Sequence, residues 1–205
     1  MLRSPDYWEK AKAHLRAVDP TMRAIIDAHE EPPLRSKGRI FETLVHAIVG
    51  QQISAKAADA VWKRFLELVG EVTPECVLGH STESLRSVGL SGRKVEYIQG
   101  LAEKASWVDS FEWSALSDDA VRKKLVSLRG IGPWTAEMVL IFSLLRPDVF
   151  PLGDIGVIRS IEGLYASGER LPIERIVDIG SVWSPYRTVA TWYLWRHLDA
   201  EPVEY

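Results

Sequence analysis

Asp154 stands in a proline- and glycine-rich loop, Phe150-Pro151-Leu152-Gly153-Asp154, and a helix is predicted from about Gly156 to Tyr165. An aspartate before a helix reads as an N-cap, its carboxylate accepting amide hydrogens of the first turn. Such a carboxylate is also held in place by the helix dipole. There it can stabilise an oxocarbenium-like cation or orient and deprotonate a water, and capping does not exclude either role. Gly132 lies 22 residues upstream, in Leu128-Arg129-Gly130-Ile131-Gly132-Pro133-Trp134-Thr135-Ala136-Glu137-Met138. A polar run precedes this stretch and an apolar run, Val139 to Leu145, follows it. The G-x-G step favours a tight turn, since glycine tolerates positive φ and leaves the amides uncovered. Pro133 suits the first position of the next helix. The two helices therefore meet at a hairpin whose second helix points amide N–H groups outward, an anion site. An ordinary αα-hairpin is the alternative reading. Trp134 and Trp183 offer flat faces for stacking, although most large aromatics fill cores.

The elements that must position these residues read as helices throughout. Ser4-Pro5 and Asp19-Pro20 are helix-start signals, for helices from Asp6 to about Val18 and from Thr21 to His29. Glu30-Glu31-Pro32-Pro33 is a stop. Phe41, Leu44, Val45, Ile48 and Val49 fall at helical spacing, and that helix ends at Gly50-Gln51-Gln52-Ile53-Ser54. Ser54 caps the next helix, which carries Ala57, Ala58, Val61, Phe65 and Leu68. Thr73-Pro74 and Ser81 open short helices. Gly89-Leu90-Ser91-Gly92-Arg93-Lys94 is a second glycine turn leading into a helix. Ser117 caps the first hairpin helix, and the second, Trp134 to Leu145, is apolar on nearly every face and expected to be central. Leu171-Pro172 and Trp183-Ser184-Pro185-Tyr186 introduce the last helices. The reading is an all-α chain of two helical lobes, splitting near 35–40 and 110–130, with the active site in a cleft between them.

Composition sets bounds. The chain has 205 residues, 46% of them hydrophobic, and a net charge of −3, so any polyanion-binding surface must be a local patch. The single cysteine, Cys76, leaves neither an internal disulfide nor a four-cysteine zinc or iron–sulfur site. A reducing, intracellular setting is expected. No signal peptide is apparent at the N-terminus, and the longest apolar run is too short to span a bilayer.

The hairpin L-x-G-I-G-x-W-T-A, a downstream F-P-x-x-D loop, and W-x-P-Y-R before a terminal helix occur here in that order. Together they resemble the helix-hairpin-helix/Gly-Pro-Asp superfamily of DNA glycosylases, within it the 3-methyladenine DNA glycosylase II (AlkA/Mag) branch. The likeness covers roughly Ile40 to His197. It implies Asp154 as the catalytic aspartate and a base pocket of Trp134, Trp183, Tyr186 and Met138. Gln51-Gln52-Ile53 matches the wedge loop, with Gln52 at the intercalating position. Amides of Gly130, Gly132 and Thr135 would hold a phosphate, and carbonyls of Val126, Leu128 and Ile131 would bind Na+ or K+ beside it. Gly89, Ser91, Arg93, Lys94 and Lys56 would grip the other side, while Arg187 fits either a phosphate contact or a structural ion pair. No other cofactor is implied.

Bifunctional relatives carry a lysine where this chain has Trp134, so the resemblance implies a monofunctional enzyme that leaves an abasic site. The substrate would be a damaged base flipped from double-stranded DNA, 3-methyladenine or 7-methylguanine, and the enzyme a monomer. Alternatives are a non-catalytic DNA-binding module, or a glycosylase for hypoxanthine or etheno-adenine. Residues 1–39 supply helices and a loop, so no extra N-terminal β domain is expected.

Overall fold

The computed structural model describes residues 2–29 and 33–199. The expected stop at 30–33 therefore lies mostly outside the described residues. The described residues form an all-α structure without a strand, apart from an isolated bridge in which Arg3 and Ser36 exchange backbone bonds of 2.9 and 2.8 Å. The chain divides into two compact units. One takes the chain up to Lys37 and again from Leu140; the other is Gly38–Val139. The second boundary was expected within 110–130 and falls later. The hairpin helices pack on each other, and the second of them packs on the first long helix of the Gly38–Val139 unit, so they belong to it.

In the Gly38–Val139 unit, α3 (Ile40–Gly50) is the central element, buried continuously from Glu42 to Val49. Around it pack α4 (Ala55–Val69), α7 (Gly92–Ala102) and α10 (Pro133–Met138), with α9 (Asp118–Val126) against α10. Serine and threonine caps start helices as expected at Ser54, Thr73, Ser81 and Ser117, each accepting a first-turn amide, and Ser91 also caps α7 in this way. The short α5 (Pro74–Leu78), α6 (Thr82–Ser87) and α8 (Ala105–Asp109) fill the connections.

The second hairpin helix is shorter than its apolar run. It ends at Met138 and widens into a π turn over Val139–Ser143, within which the chain passes from one unit to the other. Arg146 N–H closes on the Leu140 carbonyl at 2.9 Å, and Leu145 takes φ +52°. The left-handed backbone at Leu145 turns the chain out of the helix, and Pro147, two residues on, cannot continue it.

In the other unit the central element is α13 (Arg187–Leu198), buried on most faces. It packs on α1 (Trp8–Val18), α2 (Pro20–Ala28) and α11 (Ile155–Ala166), with Trp8 against Trp192 and Tyr193. α12 is Ile173–Ser181. The expected Ser4-Pro5 cap is not used; α1 starts after Tyr7 without a side-chain cap. Asp19 does cap α2, taking the Thr21 and Met22 amides at 2.8 and 3.2 Å.

Candidate functional site

Within the Gly38–Val139 unit, two helix starts and one turn form a concave surface of about 690 Å³. Its lining includes Gln51 and Gln52 of the α3–α4 turn, Ser91, Arg93 and Lys94 at the start of α7, and Gly130, Gly132, Trp134 and Thr135 of the hairpin. Residues separated by some eighty positions in the chain, and expected in the wedge, the base pocket and the backbone grip, thus line one concave surface. Lys56, exposed in the first turn of α4, and Gly89 stand outside this lining.

The two hairpin glycines do different work. Gly130 has φ +86°, and a Cβ there would overlap the ring of Tyr97. Gly132 has φ −98° and nothing within 4 Å of where its Cβ would lie. Backbone conformation and close packing therefore require the first glycine, while the second keeps open the approach to the first-turn amides of α10. Those amides have no carbonyl acceptor within their own helix. Tyr97 escaped sequence reading because nothing local to α7 marks its ring as the floor under Gly130.

Gln51 and Gln52 part company. Gln52 and Ile53 are exposed, and Gln52 has φ +60°, an uncommon conformation for a non-glycine residue. Gln51 is not part of the projecting tip. Its side chain turns inward and donates to the Gly130 carbonyl and the Thr135 hydroxyl, each at 3.0 Å. This corrects its assignment to the wedge: both amide hydrogens are spent on the hairpin. Thr135 is buried, so its hydroxyl serves this bond while its backbone stays at the helix start. Lys94 is half-buried and donates to the Val49 carbonyl at 2.8 Å; burial holds its ammonium below the ordinary lysine value. Arg64 braces the second glycine turn, donating to the Val88 carbonyl at 2.8 Å beneath Gly89, whose φ is +105°.

Met138 and Trp183, both expected in the base pocket, are buried. Met138 is only 1% exposed and has no open surface to offer a base. Trp134 is half-buried, with its ring edge 3.9 Å from the Cβ position of Gly50, and lines the concave surface. Of the carbonyls implied as cation ligands, Leu128 accepts the Ile131 N–H at 3.2 Å, and Val126 is the last residue of α9. A helix end leaves carbonyl oxygens without intrahelical donors.

The carboxylate belongs to the other unit. Asp154 caps α11: its Oδ1 accepts the Val157 amide at 2.9 Å and the Trp195 Nε1–H at 3.1 Å. Gly156 makes room for this, because a Cβ there would lie 3.0 Å from Asp154 Oδ1 and 3.4 Å from the Trp195 ring. Trp195 is held by stacking on Phe142, 5.7 Å between centroids and 12° between planes. It was missed by sequence reading, being 41 residues from Asp154 with no local motif.

The loop carrying Asp154 is pinned at its other end by the start of α13. Arg187 donates to both oxygens of Asp148 at 2.7 and 2.8 Å, and its amide adds a bond of 3.2 Å. Burial pushes the Asp148 carboxyl up, but the Arg187 side chain and amide and the Ser184 hydroxyl outweigh it and hold it below its ordinary value. Thr188 accepts from the Val149 amide at 2.9 Å and donates to the Arg146 carbonyl at 2.6 Å. Arg187 is therefore a structural ion pair. Trp183, expected as a stacking face, is fully buried, and its Nε1–H donates to Asp19 Oδ2 at 2.8 Å. Phe150 and Tyr165 pack on it, so it is a core residue. Tyr165 donates to the same Asp19 oxygen at 2.7 Å; burial first, then this bond, drives its hydroxyl pKa well above the ordinary value. Tyr186 is half-buried between Tyr7, stacked at 6.1 Å, and His14.

A hairpin of outward amides in one unit and a carboxylate capping a helix beyond a proline–glycine loop in the other are the parts of a helix-hairpin-helix repair protein. The chain belongs to the HhH-GPD superfamily of base excision DNA repair proteins, whose family model matches residues 45–185. It is 32% identical to DNA-3-methyladenine glycosylase 1 of Schizosaccharomyces pombe, over 91% of this chain and 86% of that protein. The structure of S. pombe 3-methyladenine DNA glycosylase (Mag1) in complex with abasic DNA matches with a TM-score of 0.82 at 30% identity, covering 91% of this chain and 95% of that one. The crystal structure of DNA-3-methyladenine glycosidase from Bacillus halodurans matches with a TM-score of 0.72 at 37% identity, covering 97% and 93%. Among the described residues no helix is long and apolar enough to cross a membrane.

Proposed function

We propose that this chain is a DNA glycosylase of base excision repair that hydrolyses the N-glycosidic bond of alkylated purines, 3-methyladenine and 7-methylguanine. The observation that carries the reading is the carboxylate of Asp154, fixed by the Val157 amide and the Trp195 indole, in a chain that also bears the glycine hairpin. Asp154 stabilises the sugar as positive charge develops on it, or orients the attacking water. Alkylation at a ring nitrogen makes the purine cationic and a good leaving group. Trp134 is the indole offered to it, an attraction of about 0.5–2 kcal/mol. With tryptophan at this position there is no amine to attack the sugar, so the product is a free base and an abasic site in an unbroken strand.

The hairpin amides of Gly130, Gly132 and Thr135 hold a DNA phosphate, and Ser91, Arg93 and Lys56 approach the backbone on the other side. Carbonyls of Val126, Leu128 and Ile131 would hold Na+ or K+ there, adding positive charge next to the phosphate. Gln52 and Ile53, exposed at the α3–α4 turn, fill the gap left by the flipped nucleotide. The protein acts as an intracellular monomer. Base release from methylated duplex DNA by the wild type and by Asp154→Asn tests the reading. Asparagine still caps the helix, so the fold survives. Release by the wild type alone, with strands intact until alkali, is expected. Equal release by both would remove Asp154 from the chemistry. Release by neither, from folded protein that binds the DNA, would favour the binding-module alternative.

A further inference from the structure

Gln51 sits at the C-terminal end of α3, its backbone N–H on the Ala47 and Ile48 carbonyls. Its carboxamide has two donor hydrogens, and both are used on the hairpin, one on the Gly130 carbonyl and one on the Thr135 hydroxyl. These acceptors flank the turn whose amides the reading above gives to a phosphate. The very next residue, Gln52, is exposed with φ +60°. A left-handed non-glycine residue persists only where its surroundings hold it. Gln51 holds it on one side, and Ser54, whose hydroxyl accepts the Ala57 amide, starts α4 on the other. A second tether, Lys94 on the Val49 carbonyl, ties the same end of α3 to the start of α7.

We propose that Gln51 is a positioning residue that ties the wedge turn to the phosphate-holding hairpin, so that the tip at Gln52 stands at a set distance from the bound backbone before DNA arrives. The proposal rests on the glycosylase reading. Preorganisation of this kind removes an ordering cost at the moment of base flipping. Glutamate has the same length but no donor hydrogens, and asparagine is one methylene shorter, so neither reproduces the bridge.

The test compares single-turnover release of 7-methylguanine from two duplexes, one with the lesion paired and one with it unpaired in a bulge. The proteins are the wild type, Gln51→Met, Gln51→Glu, Gln52→Ala and the double variant Gln51→Met/Gln52→Ala. If Gln51 acts through the wedge, Gln51→Met slows release of the paired lesion about tenfold and of the unpaired lesion less than about twofold. In the Gln52→Ala background it then adds nothing, because contacts that act as one unit are not additive. Gln51→Glu repeats the loss with the side-chain length unchanged. Should Gln51→Met fail to fold, Thr135→Val removes one of the two acceptors and carries the same comparison. Equal slowing on both duplexes, additive effects with Gln52→Ala, or no slowing at all would make Gln51 an ordinary brace and overturn the proposal. Wild type that releases no base from either duplex would overturn the glycosylase reading itself, and this proposal with it.

Discussion

Replacing Trp195 by phenylalanine isolates what its indole N–H does for Asp154. Phenylalanine keeps a ring to stack on Phe142, 5.7 Å away, and removes the donor 3.1 Å from Asp154 Oδ1. Asp154 retains the Val157 amide at 2.9 Å, so the cap and α11 persist. A hydrogen bond to a charged acceptor is worth about 1.5–3 kcal/mol, and its removal from a half-buried site recovers some of that through water. A loss of about 1–2 kcal/mol in holding the carboxylate corresponds to a rate reduction of roughly 5- to 30-fold. The assay is single-turnover release of 3-methyladenine from methylated duplex, alongside affinity for an abasic duplex and the melting temperature. Affinity is expected to stay within about twofold, since Trp195 has no part in the phosphate grip. Gly156→Ala perturbs the same carboxylate from the opposite direction. Its Cβ would crowd Asp154 Oδ1 at 3.0 Å, while alanine improves helix propensity by about 1 kcal/mol. Stability should hold while the rate falls. Rates within twofold of wild type for both variants would refute the idea that this pair of contacts aims the carboxylate.

Two other predictions follow from the geometry. Gly130→Ala should destabilise the Gly38–Val139 unit by about 2 kcal/mol or more, because φ is +86° and the Tyr97 ring occupies the space a Cβ needs. Gly132→Ala should leave urea unfolding nearly unchanged and weaken DNA binding by covering the amides; equal destabilisation by both would undo the distinction. Asp148 has a folded-state pKa below its ordinary value of 3.8, so its contribution to stability is present above that pH and is lost as pH falls through it toward the folded value. Urea midpoints of wild type and Asp148→Asn should therefore differ most near neutral pH and converge below about pH 4; a gap that widens with acid would reverse the sign.

The hairpin and most of the caps, though not Ser4-Pro5, are legible in the sequence because their causes are local. Proline at the first helical position, serine before a helix and glycine at positive φ act within a few residues of themselves, and Asp154 belongs to the same class. What escaped was decided by distant partners. Gln51 and Gln52 are identical letters side by side, and only acceptors at 130 and 135 send one inward and leave the other exposed. Met138 belongs to an apolar run in which spacing does not say which residues stay open. The length of the second hairpin helix was overread for a related reason: hydrophobicity continues to Leu145, but the backbone changes to a π turn at Val139.

The W-x-P-Y-R motif shows how a true signal can be assigned the wrong work. The resemblance implies Trp183 as a pocket wall, yet it is bonded to the buried cap Asp19; of the two roles open to Arg187, its bonds to Asp148 select the structural ion pair. The Arg187 bond holds the chain just before the Asp154 loop, and Trp183, fixed by its bond to Asp19, is packed on by Phe150 of that loop. Arg187 and Thr188 fix its beginning at 146–149, and Trp195, two turns further along α13, reaches Asp154 at its end. Phe150, inside the loop, packs on Trp183 and against Gly180, where any Cβ would overlap its ring. The terminal helix is thus the frame on which the carboxylate is mounted, and the motif marks the frame rather than the pocket. On that account Arg187→Met should lower the rate of base release through the loop while affinity for abasic DNA is unchanged. A loss of affinity without loss of rate would return Arg187 to the DNA surface.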